Sequence, residues 1–391
     1  MPDRPTLTFL FRSWPLSGVT THTTDLCRGL QARGWRCRIA FLRYEPRYDL
    51  PFPHDLEKVH WQVNGTLRDQ LVRLAKRINQ EPPGILLPEC AFEHAYACPL
   101  VDPAWRIVQR LHSDDPRYYQ TTRFLGPHMD GLIAVSSFIG RRIQKKFPDL
   151  TDRLATIPYA PTIKPNQPMA IPHQSESPIR VLYLGRLNES QKKVRDIAAI
   201  IHETERRGIP CFWTFAGEGE ERSWLEQSLS TQIQEGRVRF LGSVNPAQVP
   251  EILARHQVLI LTSAFEGLPL ALLEGQTAGL VPVVSNIRSG IGDQIENETD
   301  GFICPVGNAA AFAEVIGRLQ QDPARWERMS QAGRQRQQGH TFEDMINAYD
   351  RVFSEVAVQT RRSVVSTGVK GIPMPRELKD NLDGDRPAMT D

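Results

Sequence analysis

The residues best suited to chemistry cluster where apolar runs end in the second half of the chain. Val181–Leu184 runs into Gly185-Arg186-Leu187, with Lys192 and Lys193 close behind. Thr214–Ala216 runs into Gly217-Glu218-Gly219. Val258–Leu261 runs into Thr262-Ser263-Ala264-Phe265-Glu266-Gly267-Leu268-Pro269, which opens a helix ending near Ala278-Gly279. Pro269 suits the first turn of such a helix. A helix start offers free N–H groups and partial positive charge, and so favours an anion. Arg186 and Lys192 would add fixed cations for a diphosphate. Glu266 and Glu274 stand eight positions apart, about two helical turns plus 80°, so a fully helical pair would not share a face. With Glu266 in the loop, both carboxylates can reach a ligand at the helix mouth. Acceptors of that kind suit the hydroxyls of a sugar and a ribose.

The segment Glu266-Gly-Leu-Pro-Leu-Ala-Leu-Leu-Glu274, with Gly185-Arg186-Leu187 and Lys192 upstream, resembles glycosyltransferase family 4. The resemblance covers most of residues 179–355 and, more weakly, 6–165. It implies the GT-B architecture, two Rossmann-like parallel-sheet domains facing across a cleft. It also implies a retaining glycosyltransferase that uses a UDP-, GDP- or ADP-sugar donor and a carbohydrate or lipid-linked acceptor. No metal or other cofactor is expected. By this resemblance Arg186 and Lys192 hold the diphosphate, with Lys192 preferred over Lys193. Glu266 binds donor-sugar hydroxyls and Glu274 the ribose. The backbone of Gly267, Leu268, Pro269 and Leu270 touches phosphate or sugar, and Gly217 and Gly219 belong to the donor-binding strand ends. Ser243 and Val244, after Gly242, lie where the family contacts the base.

In the first half, Ser17-Gly18-Val19-Thr20 follows the first apolar run and resembles the family's glycine loop near the donor phosphates, with Gly18 as the matching glycine. His112 matches a position where the family often has a histidine facing the donor sugar. The family's usual Asn-Gly after the last strand of this half is Tyr159-Ala160 here. Asp383-Gly-Asp385 mimics a metal-binding Asp-x-Asp but falls in a polar tail. Two other function classes fit less well. A dinucleotide oxidoreductase needs G-x-G-x-x-G after its first strand, and Gly217-Glu-Gly219-Glu-Glu-Arg222 lacks the third glycine. A silent nucleotide-sugar-binding protein would share the donor residues and differ only in turnover.

Those residues need a scaffold of alternating strands and helices. Strands are expected at Thr6–Phe11, Arg36–Leu42, Ile85–Pro88, Arg106–His112, Gly131–Val135 and Leu154–Pro158, and a helix at Thr21–Arg33. After a proline-rich stretch the pattern restarts at Ile179–Leu184, Cys211–Phe215, Val238–Leu241, Val258–Leu261 and Val281–Val284. Repeated strand–helix units favour parallel sheets with helices on both faces. The expected organisation is a domain over 1–165, a linker over 166–178, a second domain over 179–340, a helix over 341–359 and a disordered, dispensable tail over 360–391.

A length of 391 residues suits two domains. No apolar run reaches the roughly 18 residues needed to span a bilayer, and six scattered cysteines without zinc-like spacing suit a cytoplasmic protein. The net charge of +2 divides unevenly, +7 over residues 1–165 and −5 over the rest. Arg141, Arg142, Lys145 and Lys146 form one helix face, which predicts docking at an anionic inner membrane surface.

Overall fold

The computed structural model describes residues 4–14, 17–43, 52–161, 168–359, 371–380 and 382. The chain divides into two compact units, Met1–Pro158 with Glu343–Asp391, and Tyr159–Phe342.

The first unit is built on seven parallel strands: β1 (Leu7–Phe11), β2 (Cys37–Phe41), β3 (Glu57–His60), β4 (Ile85–Pro88), β5 (Arg106–Leu111), β6 (Gly131–Ala134) and β7 (Leu154–Thr156). They lie in the order β3-β2-β1-β4-β5-β6-β7. The second unit has six: β8 (Ile179–Leu184), β9 (Cys211–Ala216), β10 (Val238–Gly242), β11 (Val258–Leu261), β12 (Val281–Ser285) and β13 (Phe302–Cys304), in the order β10-β9-β8-β11-β12-β13. Central strands such as β1, β4 and β11 are buried throughout, as a parallel sheet covered on both faces requires. In each unit the order reverses once, between β1 and β4 and between β8 and β11. Open parallel sheets bind ligands beyond the carboxyl ends of strands at such a reversal.

Two strands were not expected from sequence. Both β3 and β13 are edge strands; β3 alternates half-buried and exposed residues, and the apolar run of β13 is only three residues long.

The linker assignment needs correction. Ala170 and Ile171 donate backbone hydrogen bonds to Ala278 O (2.8 Å) and Ala254 O (2.9 Å). His173 is buried against Gln320 O at 2.8 Å. Residues 168–178 are therefore part of the second unit, tied to it by backbone hydrogen bonds rather than spacing two domains.

The helix Phe342–Val358 belongs instead with the first unit. It packs on the helix Gly18–Gln31, where a Cβ on Gly29 would fall 2.5 Å from the Ile346 side chain. Trp35 donates to Asp350 at 2.6 Å and meets Phe353 edge-on. The expected disordered tail is also corrected for its described part. Ile372, Met374 and Leu382 are buried, and Arg68 N–H donates to Leu382 O at 3.0 Å. A few apolar anchors suffice there, and average composition conceals them. Asp383 and Asp385 lie outside the described residues.

Buried histidines give the fold an acid-sensitive term. Burial first, then nearby arginines, pushes His94 down to about 4. His256 is likewise pushed down to about 4 by burial, and then by Arg180 and Arg255 against an opposing backbone hydrogen bond. The unfolded chain binds the missing protons below the ordinary value of 6.5, so stability rises with pH through that window. Each histidine is expected to cost about 3 kcal/mol of stability as pH falls from about 6.5 to 4. Urea unfolding at pH 7 and pH 5 tests this, and His94→Gln should flatten the dependence.

Candidate active site

At the β8/β11 reversal the loops after both strands meet. Glu266, 5% exposed, sits in the loop after β11. Its Oε1 accepts from Lys192 Nζ at 2.5 Å and from Ser263 Oγ at 2.7 Å. The loops are tied together further by Ala264 N–H to Gln191 O (2.7 Å) and by Thr262 Oγ1 to Lys192 O (2.9 Å). Asn188 Oδ1 accepts from Lys192 N–H at 3.0 Å, fixing the turn that aims the lysine. Lys193 takes φ of +52° and turns to Glu189 at 3.3 Å, so the adjacent lysines point to different carboxylates. Arg186 donates to Gln191 Oε1 at 3.0 Å. The helix Leu270–Ala278 begins at Pro269 with no side-chain cap, and Glu274 lies half-buried one turn in. Cationic side chains, an uncapped helix start and a buried carboxylate thus share one set of loops.

In the first unit, Ser17 caps the helix Gly18–Gln31 through a reciprocal capping box with Thr20, which explains serine at that position. Gly18 is exposed at the first helical position. His112, following β5, turns inward: its Nε2–H donates to Glu89 Oε2. Glu89 follows β4 at the β1/β4 reversal and is fully buried. Arg110, also fully buried, donates to Glu89 Oε1 at 2.6 Å and to Thr23 Oγ1 at 2.7 Å, with His22 Nδ1 at 3.5 Å. Burial pushes the Glu89 carboxyl up, but the charges of Arg110 and then His112 outweigh it and hold the group below the ordinary range. Burial lowers His112 against the attraction of Glu89, and burial with Arg110 lowers His22 further.

The family model described as Glycosyl transferases group 1 matches residues 168–336, and the model described as Glycosyltransferase Family 4 matches residues 16–160. The chain belongs to the family 4 glycosyltransferases. The glycogen synthase of Mycobacterium tuberculosis is 31% identical over 169 residues, 43% of this chain and 40% of the relative. The Escherichia coli UDP-Gal:alpha-D-GlcNAc-diphosphoundecaprenol alpha-1,3-galactosyltransferase is 32% identical over 141 residues, 36% of each chain. The chain therefore spans two fifths or less of the length of these curated relatives. HepE from Anabaena in complex with UDP-glucose shares the GT-B fold, with a TM-score of 0.70 at 15% identity over 91% of this chain and 100% of that one.

In this family 4 chain the structure separates residues that the sequence grouped. Lys192 and Glu266 meet directly, and Arg186 joins them through Gln191, which also reaches Phe265 O at 3.4 Å. Ser243 and Val244 follow β10 and line a separate cavity on the sheet face. The basic helix face is partly spent: Arg142 donates to Asp114 at 2.8 Å and Lys146 lies over the Tyr119 ring. Gly217 and Gly219 have a packing reason that needs no ligand. A Cβ on Gly217 would fall 1.8 Å from Gly185 O, and one on Gly219 would fall 2.2 Å from Leu187 O. The loops after β8, β9 and β10 are stitched by Gly185 N–H to Ala216 O and Gly217 N–H to Gly242 O (3.0 and 2.9 Å).

Gly217→Ala should therefore displace the backbone beside Arg186, destabilise the fold by several kcal/mol and weaken binding of a nucleoside diphosphate. Gly208→Ala is the control: it also has positive φ, but nothing lies within 4 Å of its Cβ. It should cost only about 1–2 kcal/mol and leave binding unchanged. Melting curves and calorimetric titration separate the two cases.

Reading the sequence missed Ser263, Glu89 and Arg110 as partners. Ser263 lay inside the quoted loop, and only its three-residue spacing from Glu266 signalled the contact. Arg110 sits inside an apolar strand and Glu89 directly after one, and a charge in such a place requires a buried counter-charge.

Proposed function

We propose that this family 4 chain is a retaining glycosyltransferase. It moves a hexosyl group from a UDP-, GDP- or ADP-sugar to a carbohydrate or lipid-linked acceptor, in synthesis of a cell-surface polysaccharide or glycoconjugate. The observation that carries this reading is the Lys192–Glu266–Ser263 cluster beside Arg186 and an uncapped helix start. The UDP-glucose complex of HepE and the diphosphoundecaprenol acceptor in the name of the Escherichia coli relative support the donor and acceptor classes.

In this reading Lys192 is held by Glu266 until a donor arrives. The diphosphate then draws Lys192 away, and the freed carboxylate accepts hydrogen bonds from sugar hydroxyls. As the bond from the anomeric carbon to the outer phosphate breaks, its electron pair leaves with the nucleoside diphosphate. Arg186, Lys192 and the backbone N–H groups at Leu270 stabilise that charge; one such preorganised donor is worth about 2.7–4 kcal/mol. The departing phosphate oxygen takes the acceptor hydroxyl's proton on the same face, and the new bond forms there with the configuration retained. No side chain is assigned as base and no metal is assigned. Gly18 and His112 are given to the donor by the family pattern, His112 contributing a ring already held by Glu89.

A thermal-shift screen against UDP-, GDP- and ADP-sugars tests the reading, since a ligand of the folded state raises stability with the logarithm of its concentration. One donor class should stabilise the protein and then be hydrolysed slowly or transferred. Stabilisation without turnover across acceptors would instead make it a sugar-nucleotide-binding protein.

A further inference from the structure

The second unit holds a cavity of about 660 Å3 that touches the donor assignment only at Ser243 and Val244, and whose arginine-lined remainder that assignment does not explain. Its floor is one face of β8, β9 and β10. Arg180 registers with Phe212, and Thr214 with Arg239. Arg180 and Phe212 lie at the amino ends of β8 and β9, and Arg239, level with Thr214, lies mid-sheet, so the three precede the strand ends that carry Arg186 and Glu266. The face stays open because only the single turn Pro246–Gln248 and the six-residue helix Val249–Ala254 connect β10 to β11. Phe212 is left 39% exposed.

Among the described residues, most of the arginines that line this cavity lack a counter-charge. Arg195, Arg207, Arg222 and Arg336 all hold carboxylates, as does the lining residue Arg237, which takes Glu205 and Glu235. Arg180, Arg239 and Arg255 have no ion-pair partner among the described residues. Glu251 is the one carboxylate in the lining. Between the arginines sits His256, 6% exposed, with its ring fixed by Thr214 Oγ1 at 2.8 Å and Ile252 O at 2.7 Å. Arg180 and Arg255 line the same cavity as His256, and both bear on its ring electrostatically.

We propose that this cavity is a second anion site, which takes a phosphate-bearing ligand through Arg180, Arg239 and Arg255. A carboxylate has two oxygens and is matched by one guanidinium fork. Three forks around one volume match the several oxygens and higher charge of a phosphate or diphosphate. The exposed Phe212 ring supplies an apolar wall for the group that carries the phosphate. Three like charges also repel one another in the empty cavity, so filling it must stabilise the fold. The site goes beyond the donor reading and does not depend on it.

Inorganic pyrophosphate is the probe, titrated calorimetrically into the full chain. Arg186→Ala/Lys192→Ala removes binding at the proposed donor site, and Arg180→Ala/Arg239→Ala/Arg255→Ala removes the new one. The donor-site double variant should keep a binding event that the quintuple variant loses, and Arg239→Lys should weaken it by about tenfold, because lysine keeps the charge but not the fork. The triple variant should fold normally, as it breaks no ion pair, and should keep its sugar-nucleotide response. If that response is lost while the pyrophosphate event survives in the double variant, the donor reading fails and this one stands. Co-sedimentation with phosphatidylcholine vesicles, with and without phosphatidic acid, identifies the source. Arginine-dependent binding to the acidic vesicles means a lipid headgroup, and pyrophosphate binding alone means a soluble phosphate. Identical pyrophosphate isotherms with and without the three arginines overturn the site and leave a solvated basic face.

Discussion

Glu266→Gln should lower kcat by at least about a hundredfold, the loss typical of one transition-state electrostatic contact. The affinity for nucleoside diphosphate should change much less. The substitution keeps the shape of the side chain but replaces a charged acceptor oxygen with an NH2 donor. Hydrogen bonds from the sugar hydroxyls to a carboxylate strengthen as positive charge develops on the ring, so their loss falls on turnover. The structure makes this sharper than the loop position alone suggests. A carboxylate capping the following helix would affect stability only, yet that helix starts at Pro269 without a side-chain cap, and Oε1 of Glu266 is occupied by Lys192 and Ser263. Removing the charge also leaves Lys192, whose side chain is 15% exposed, without its counter-ion. Melting temperature should fall with the loss of one charged hydrogen bond, about 1.5–3 kcal/mol. Glu274→Gln is the comparison, and should raise KM with little change in kcat if it serves the remote ribose. Turnover near normal in folded Glu266→Gln, with only a lower melting temperature, would reduce Glu266 to a structural partner of Lys192.

How much of this was readable from sequence depended on the kind of signal. Buried central strands announced themselves, since β4 and β11 are continuous apolar runs and β1 and β8 depart from one at a single residue each, Thr8 and Arg180. Edge strands did not: exposure at alternate positions frees β3 from an apolar pattern, and the buried β13 is only three residues long. The loops after β8 and β11 were legible as a combination of Arg186, Lys192 and Glu266, but their purpose in the unliganded protein was not. Only coordinates show Lys192 on Glu266 and Lys193 on Glu189. Gly217 and Gly219 have a further reason that spacing did not reveal. A glycine pair after a strand suggested approach by a ligand, while the nearest obstacle to a Cβ is the neighbouring loop's own carbonyls. The proline-rich 168–178 segment read as a spacer because its hydrogen bonds go to residues about a hundred positions away, such as Ala170 to Ala278. Spacing along the chain carries no trace of such contacts.

The second large effect concerns stability, and comes from the buried charges in the first unit. Glu89→Gln should destabilise the protein by about 3–5 kcal/mol, the usual cost of leaving one member of a buried ion pair uncompensated. That is a large share of the 5–15 kcal/mol by which a native fold is typically stable. Arg110 is fully buried, and its other contacts include Thr23, the His22 ring and the faces of Phe9 and Tyr349. Neither histidine can supply negative charge, and burial keeps both from taking up protons readily. The charge pair can be tested apart from the shape of the site. Glu89→Gln/Arg110→Met removes both charges and should recover most of the loss, so the two single changes would be strongly non-additive. Acid adds an independent check. Because Glu89 is held below its ordinary value of 4.5, its contribution is complete above that value and is lost as pH falls through the folded one. Wild-type and Glu89→Gln stabilities should therefore differ most near neutrality and converge in acid. Urea unfolding of the four proteins across pH measures both. Additive single changes, or a gap that stays constant into acid, would mean that Arg110 does not rely on Glu89 and that some other group balances it.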